Sequence, residues 1–185
     1  MIRSFIGLPL PGHAEQSLES LQGGLPGARA VPAENMHLTL AFLDDQPEAI
    51  LRALAEDLDE IGSPPIEIRL SGLVLLGGKK PGAIAVGADG GERLAVFQAR
   101  VARAVRQAGI DLERRRFRPH VTIFRIPKTV ESAEATHIQA WISRTAPFEP
   151  ITFLADRMAL YRSILTKAGA IHDVLEEYPL EDGKF

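Results

Sequence analysis

Two histidines in the sequence sit in the same short pattern. His37-Leu38-Thr39-Leu40 and His120-Val121-Thr122-Ile123 each read His-x-Thr-x, nearly half the chain apart. Polar and apolar residues alternate through both, which is the mark of a half-buried strand. Side chains at i and i+2 of a strand share a face, roughly 6–7 Å apart. His37 and Thr39 therefore share one face, and Leu38 and Leu40 the other; His120 and Thr122 stand in the same way against Val121 and Ile123. Each strand offers an apolar side to a core and a side displaying one imidazole and one hydroxyl. One such tetrapeptide means little, because short motifs recur by chance, but two at matching positions mean more.

Two converging imidazoles and two hydroxyls suit cleavage of a phosphodiester. Histidine titrates near neutrality. A neutral imidazole can deprotonate an attacking water, and a protonated one can donate to the departing oxygen. Each threonine hydroxyl can donate to a non-bridging phosphoryl oxygen, where charge accumulates. A strained phosphate attacked in this way needs no metal. Two histidines with no carboxylate or cysteine beside them also make a poor metal ligand set. No metal or cofactor is expected.

A cation should neutralise the phosphate. Arg125 lies three residues after Thr122 and could offer a bidentate fork. Strict alternation puts it on the face opposite His120, so it needs a twist, a bulge or a long reach. By the same count Arg118 falls on the histidine face, held extended by Pro119. Geometry alone leaves the two arginines level. Phe42 and Phe124 close the two motif strands. Phe42 reads equally as packing or as a platform for a nucleobase, whereas Phe124 reads as packing. His13, His137 and His172 carry no such pattern and read as structural. The run Arg114-Arg115-Arg116 reads by default as a solvated loop, with a backbone-binding role for RNA as the competing reading.

The elements that must position these residues alternate along the chain. Strands are expected at 2–8, 37–42, 66–76, 83–86, 120–124, 151–154, 157–165 and 170–178. Helices are expected near 13–21, after Pro47, near 92–108 and over 132–142. Residues 77–82 read as a hairpin loop and 167–169 as a turn. Helices mixed with hairpin-linked strands predict an α+β fold. The repeated helix and motif strand predict two similar lobes within one unit spanning 1–185, with the motifs at 37–40 and 120–123.

The chain has 185 residues and about 45% hydrophobic content, enough for a real core. It has no cysteine, which excludes disulfides and thiolate chemistry. A formal net charge of −3 argues against general polyanion binding, so contact with nucleic acid must be local. No signal peptide or membrane helix is read, and a cytoplasmic monomer is expected. Phosphate-loop, nucleophile-elbow and His-Glu-x-x-His patterns are missing.

The stretch from Pro32 to Leu43 resembles the first motif of the two-histidine (2H) phosphoesterases, and Arg116 to Ile123 resembles the second. The resemblance is to the branch of bacterial and archaeal RNA 2′,3′-cyclic phosphodiesterases, long called 2′-5′ RNA ligases. It extends to Leu8-Pro9-Leu10-Pro11, Leu160-Tyr161-Arg162-Ser163 and Tyr178-Pro179-Leu180. It implies a bilobal α+β fold with a cleft between two antiparallel sheets, each with outer helices. It also implies hydrolysis of a 2′,3′-cyclic phosphate at an RNA 3′ end to a 2′-phosphate. His37 would be the proton donor, His120 the proton acceptor, and Thr39 and Thr122 the phosphate ligands. Residue spacing supports the pair but not this order. A binder of RNA ends or nucleotides without turnover, and a reversible 2′-5′ RNA ligase, remain alternative readings. Ile123-Phe124 departs from the Leu-Ala more usual in the branch, and a bulky Phe124 could alter the rim of the cleft and with it the breadth of substrates.

Overall fold

A computed structural model describes residues 1–78, 81–113, 116–127, 132–167 and 169–181. Lys79 and Lys80 of the hairpin loop, Arg114 and Arg115 of the arginine run and Ala168 of the last turn lie outside the described residues. The elements run β1 (Ile2–Pro9), α1 (Gly12–Ser20), β2 (Arg29–Ala30), a 3₁₀ turn (Ala33–Asn35), β3 (His37–Gln46), α2 (Glu48–Asp59), β4 (Ile66–Leu76), β5 (Ala83–Asp89), α3 (Gly91–Gln107), β6 (His120–Arg125), α4 (Ser132–Thr145), β7 (Ile151–Ala155), β8 (Arg157–Leu165) and β9 (Ala170–Pro179). The expected strands and helices are all present. The two-residue β2 and the 3₁₀ turn were not expected; neither is long enough to show a period.

The strands pair antiparallel in the order β7-β4-β5-β6-β3-β1-β8-β9, with β2 alongside β6. Two four-stranded halves make up this order, and the motif strands β3 and β6 are their inner members. The halves meet at one residue pair, Leu38 opposite Val121. They are not the two halves of the sequence, because β8 returns to pair with β1 and carries β9 with it. Where β6 parts from β3, β2 takes up its edge, pairing Arg29 with Arg125 and Ala30 with Phe124.

All four helices lie toward one side of this sheet. The buried face of α2 is Leu51, Leu54 and Leu58, and that of α3 is Leu94, Phe97, Val101 and Val105. They join Leu8, Leu38, Leu40, Val121 and Ile123 in one core cluster. Burying each such side chain stabilises by roughly 1.5–3 kcal/mol. Phe124 belongs to this core: it is 2% exposed and meets Trp141 of α4 edge-on at 5.2 Å. Its bulk therefore packs against α4 and does not reach the rim of the cleft. Among the described residues no helix is long and apolar enough to cross a membrane.

The seam between the halves depends on Leu38 and Val121, both fully buried. Leu38→Ala should cost about 2–5 kcal/mol by removing transfer energy and leaving a cavity. Leu154→Ala, on a residue 58% exposed, should stay within about 0.5 kcal/mol of the parent. Urea unfolding of both variants checks the contrast.

Candidate active site

Around the Leu38–Val121 pair the two motifs run antiparallel, so the arrangement is close to two-fold. The core side chains at 38 and 121 point one way, and His37, Thr39, His120 and Thr122 rise on the other face. Burial repeats residue for residue. Over 37–42 and over 120–125 it runs intermediate, buried, intermediate, buried, buried, exposed.

The doubled buried step marks a bulge in each motif strand. Along β3, Thr39 pairs with Gly7 and Ala41 with Ile6, and the ladder skips Leu40. Along β6, Thr122 pairs with Ala85 and Phe124 with Ile84, and the ladder skips Ile123. An extra residue reverses the alternation beyond it. Phe42 and Arg125 are thereby returned to the histidine face. Strict alternation, which sent Arg125 to the far face, is corrected by this single inserted residue. Arg118 is exposed just before β6, and its carbonyl anchors His120.

Each skipped residue has a glutamine on its carbonyl. Gln98 Nε2 of α3 donates to the Leu40 carbonyl at 3.1 Å, and Gln22 Nε2, just past α1, donates to the Ile123 carbonyl at 2.8 Å. The Ile123 carbonyl also accepts from the Val31 backbone N–H at 2.9 Å. A bulge disrupts the ladder locally, and a backbone carbonyl buried without a donor is costly. Neither glutamine was singled out by sequence reasoning.

Both imidazoles are anchored in the same way. His37 Nδ1 donates to the Asn35 carbonyl at 2.8 Å, and His120 Nδ1 donates to the Arg118 carbonyl at 2.7 Å. A carbonyl only accepts, so Nδ1 carries the proton in each ring. That leaves Nε2 as a lone pair in the neutral form and as a donor in the charged form.

The surroundings differ. His37 stacks on Phe5 with centroids 4.3 Å apart, and Phe5 stacks on Tyr161 at 4.7 Å. Gly7, opposite Thr39, makes room for this: a Cβ there would stand 3.0 Å from the Leu38 carbonyl and 3.4 Å from His37 Cδ2. Burial is the main cause that pushes the His37 imidazole down to about 4; the bond to the Asn35 carbonyl opposes it, and His172, Arg125 and His120 add to it. Burial also pushes the Tyr161 phenol up to about 12.

His172, read as structural, belongs here. Its ring centroid lies 5.2 Å from that of His37, nearly perpendicular to it. Only the pairing of β9 through β8 to β1 brings it in, and no local pattern signals that. His13 Nε2 faces the Thr152 carbonyl at 3.4 Å, and His137 is exposed on α4. Among the described residues no group of three or more His, Cys, Asp or Glu could hold a metal ion.

The family model for the 2′-5′ RNA ligase superfamily matches residues 9–165. The chain belongs to that superfamily. A relative from Thermotoga maritima named RNA 2′,3′-cyclic phosphodiesterase is 29% identical over 98% of this chain and 97% of its own. One of the same name from Aquifex aeolicus is 32% identical over 97% and 98%. Among solved structures, TT0787 of Thermus thermophilus superposes with a TM-score of 0.75 at 24% identity, covering 98% of this chain and all of that one. E. coli LigT complexed with 3′-AMP superposes with a TM-score of 0.78 at 19% identity, covering 97% and 98%. These two structures share the fold over essentially the whole chain.

Two outcomes follow from the site. Gln98→Leu removes the amide from the Leu40 carbonyl and should cost about 1–3 kcal/mol in urea unfolding, the usual cost of an orphaned buried acceptor. His37 also links stability to pH. Its pKa is 6.5 in the unfolded chain and about 4 in the folded one. Between these values the unfolded chain binds the additional proton, so this contribution is complete above about 6.5 and is lost as pH falls toward 4. The urea midpoint should fall across that window, and His37→Gln should flatten the fall.

Proposed function

We propose that the protein hydrolyses the 2′,3′-cyclic phosphate ends of RNA, or of nucleotides, to 2′-phosphomonoesters with two histidines and no metal. The observation that carries this is the near two-fold pair of imidazole–hydroxyl sets, each Nδ1 tied to a carbonyl and each Nε2 left for the cleft. The names of the relatives support the substrate class.

In this reading the phosphate sits over the seam. Thr39 and Thr122 donate to its non-bridging oxygens, and the Arg125 guanidinium, turned inward by its bulge, offsets its charge. Phe42, 56% exposed at the position that corresponds to Arg125, offers a face on which a base can stack. Arg118 keeps His120 oriented through its carbonyl. In the order taken from the family, His120 Nε2 accepts a proton from water, the water oxygen bonds to phosphorus, and the P–O3′ bond breaks. His37 Nε2 gives its proton to O3′. The products are a 2′-phosphate and a free 3′ hydroxyl.

One observation favours the reverse order. Burial leaves His37 neutral at physiological pH in the free protein, which suits a base. For His37 to be the donor, the bound phosphate anion must raise its pKa. A cyclic substrate with sulfur in place of O3′ separates the two, because a thiolate leaves without a proton donor. The variant it rescues, His37→Ala or His120→Ala, is the one that has lost the donor.

With a nucleoside 2′,3′-cyclic phosphate, each of these alanine variants should lose roughly 10²–10⁴-fold in kcat, and the parent should give a bell-shaped pH profile. Turnover should persist in EDTA. Undiminished activity in either variant rejects that histidine, and loss with chelator rejects the metal-free chemistry.

A further inference from the structure

Strand β9 reaches His37 by two routes. At its start, the Ala170 carbonyl accepts from Asn35 Nδ2 at 2.8 Å, and the carbonyl of Asn35 itself holds His37 Nδ1. Two residues further on, the His172 ring stands at 87° to His37 and at 79° to Phe5, with centroid distances of 5.2 and 4.9 Å. His37 and Phe5 are themselves stacked 4.3 Å apart. A third ring on top of that stack would lie nearly twice as far from one centroid as from the other. Near-equal distances put His172 beside the stack, closing its flank. His172 Nδ1 is buried, and no hydrogen-bond partner is found for it among the described residues.

His120 has the same motif and the same carbonyl anchor, but no aromatic contact is found for it among the described residues. The two-fold correspondence breaks along the β1–β8–β9 side, and the family-model match, ending at residue 165, does not include β9.

We propose that His172 is a positioning residue for His37, bracing the imidazole from the side and keeping water from it, so that β9 is part of the active site. The Asn35–Ala170 bond carries the same constraint to the other edge of the ring. This inference rests on the catalytic role proposed for His37.

The groups around His37 make the effect readable. His172 from β9, with Arg125 and His120 from β6, are the cationic or titratable neighbours, and each lowers its pKa. Phe5 from β1 carries no charge, and Tyr161 from β8 stays neutral. Removing His172 takes away both shielding from water and one neighbouring positive group. Both changes move His37 upward.

The test follows the His37 ring protons by NMR titration of the free protein, with kinetics on a nucleoside 2′,3′-cyclic phosphate. In His172→Ala the His37 midpoint should rise from about 4 toward 6.5. There kcat should fall roughly tenfold, the scale of a small misplacement, while KM changes little. His172→Phe keeps the ring but not its charge, so kcat should stay near the parent while the His37 midpoint rises less than in His172→Ala. Asn35→Ala leaves the core intact and should lower kcat in the same direction, which serves if His172→Ala fails to fold. A parental His37 titration and kcat in His172→Ala, or an undiminished kcat in Asn35→Ala, overturns the proposal. So does equal damage in His172→Phe, because a nitrogen would then be acting on the substrate. The titration needs no turnover, so it decides the role of His172 independently. Failure of the unaltered protein to turn over substrate would instead reject the proposed function.

Discussion

The site depends on one backbone device used twice: a single unpaired residue in each motif strand, with its carbonyl accepting a glutamine amide. Without the bulges at Leu40 and Ile123, Phe42 and Arg125 would face the helices. With them, the apolar residues on both sides of the step, Leu40 with Ala41 and Ile123 with Phe124, enter the core, and the next side chain emerges on the histidine face. The helices take part through Gln98 and Gln22 as well as through their apolar faces. Packing and polar satisfaction thus fix the same register, and a change of register would move every side chain of the motif.

The near two-fold arrangement is made unequal by its surroundings. Both rings are oriented by a carbonyl two residues back. Only His37 is drawn into the stack of Phe5 and Tyr161, and desolvation there sets its charge state. Two chemically similar histidines can perform opposite proton transfers only if their environments differ. The aromatic wall of the β1–β8–β9 side supplies that difference. It is made of residues unremarkable one by one: a phenylalanine in the first strand, a tyrosine and a histidine in the last two.

Much of this was legible in the chain. Alternation placed the motif strands, apolar spacing placed the helices, and the paired His-x-Thr-x sets identified the imidazoles and hydroxyls. The bulges had a local signal as well. Leu40-Ala41-Phe42 and Ile123-Phe124 are apolar runs that break the period-two rule, and they do so at the same offset from each histidine. Phe124 was legible as packing, but its partner Trp141 was not, because α4 reaches β6 only through the tertiary fold.

The sequence by itself determined which atoms can exchange protons and which faces of the motif strands are apolar, because side-chain chemistry and strand periodicity are local properties. The tertiary structure alone decided that the two motifs meet at Leu38 and Val121, that Arg125 returns to the histidine face, and that His172 stands against His37. Each of these depends on strand pairing between distant segments: β3 with β6, β6 with β5, and β9 through β8 with β1. Such pairing is set by the burial of the whole sheet against its helices, which no short window of sequence contains.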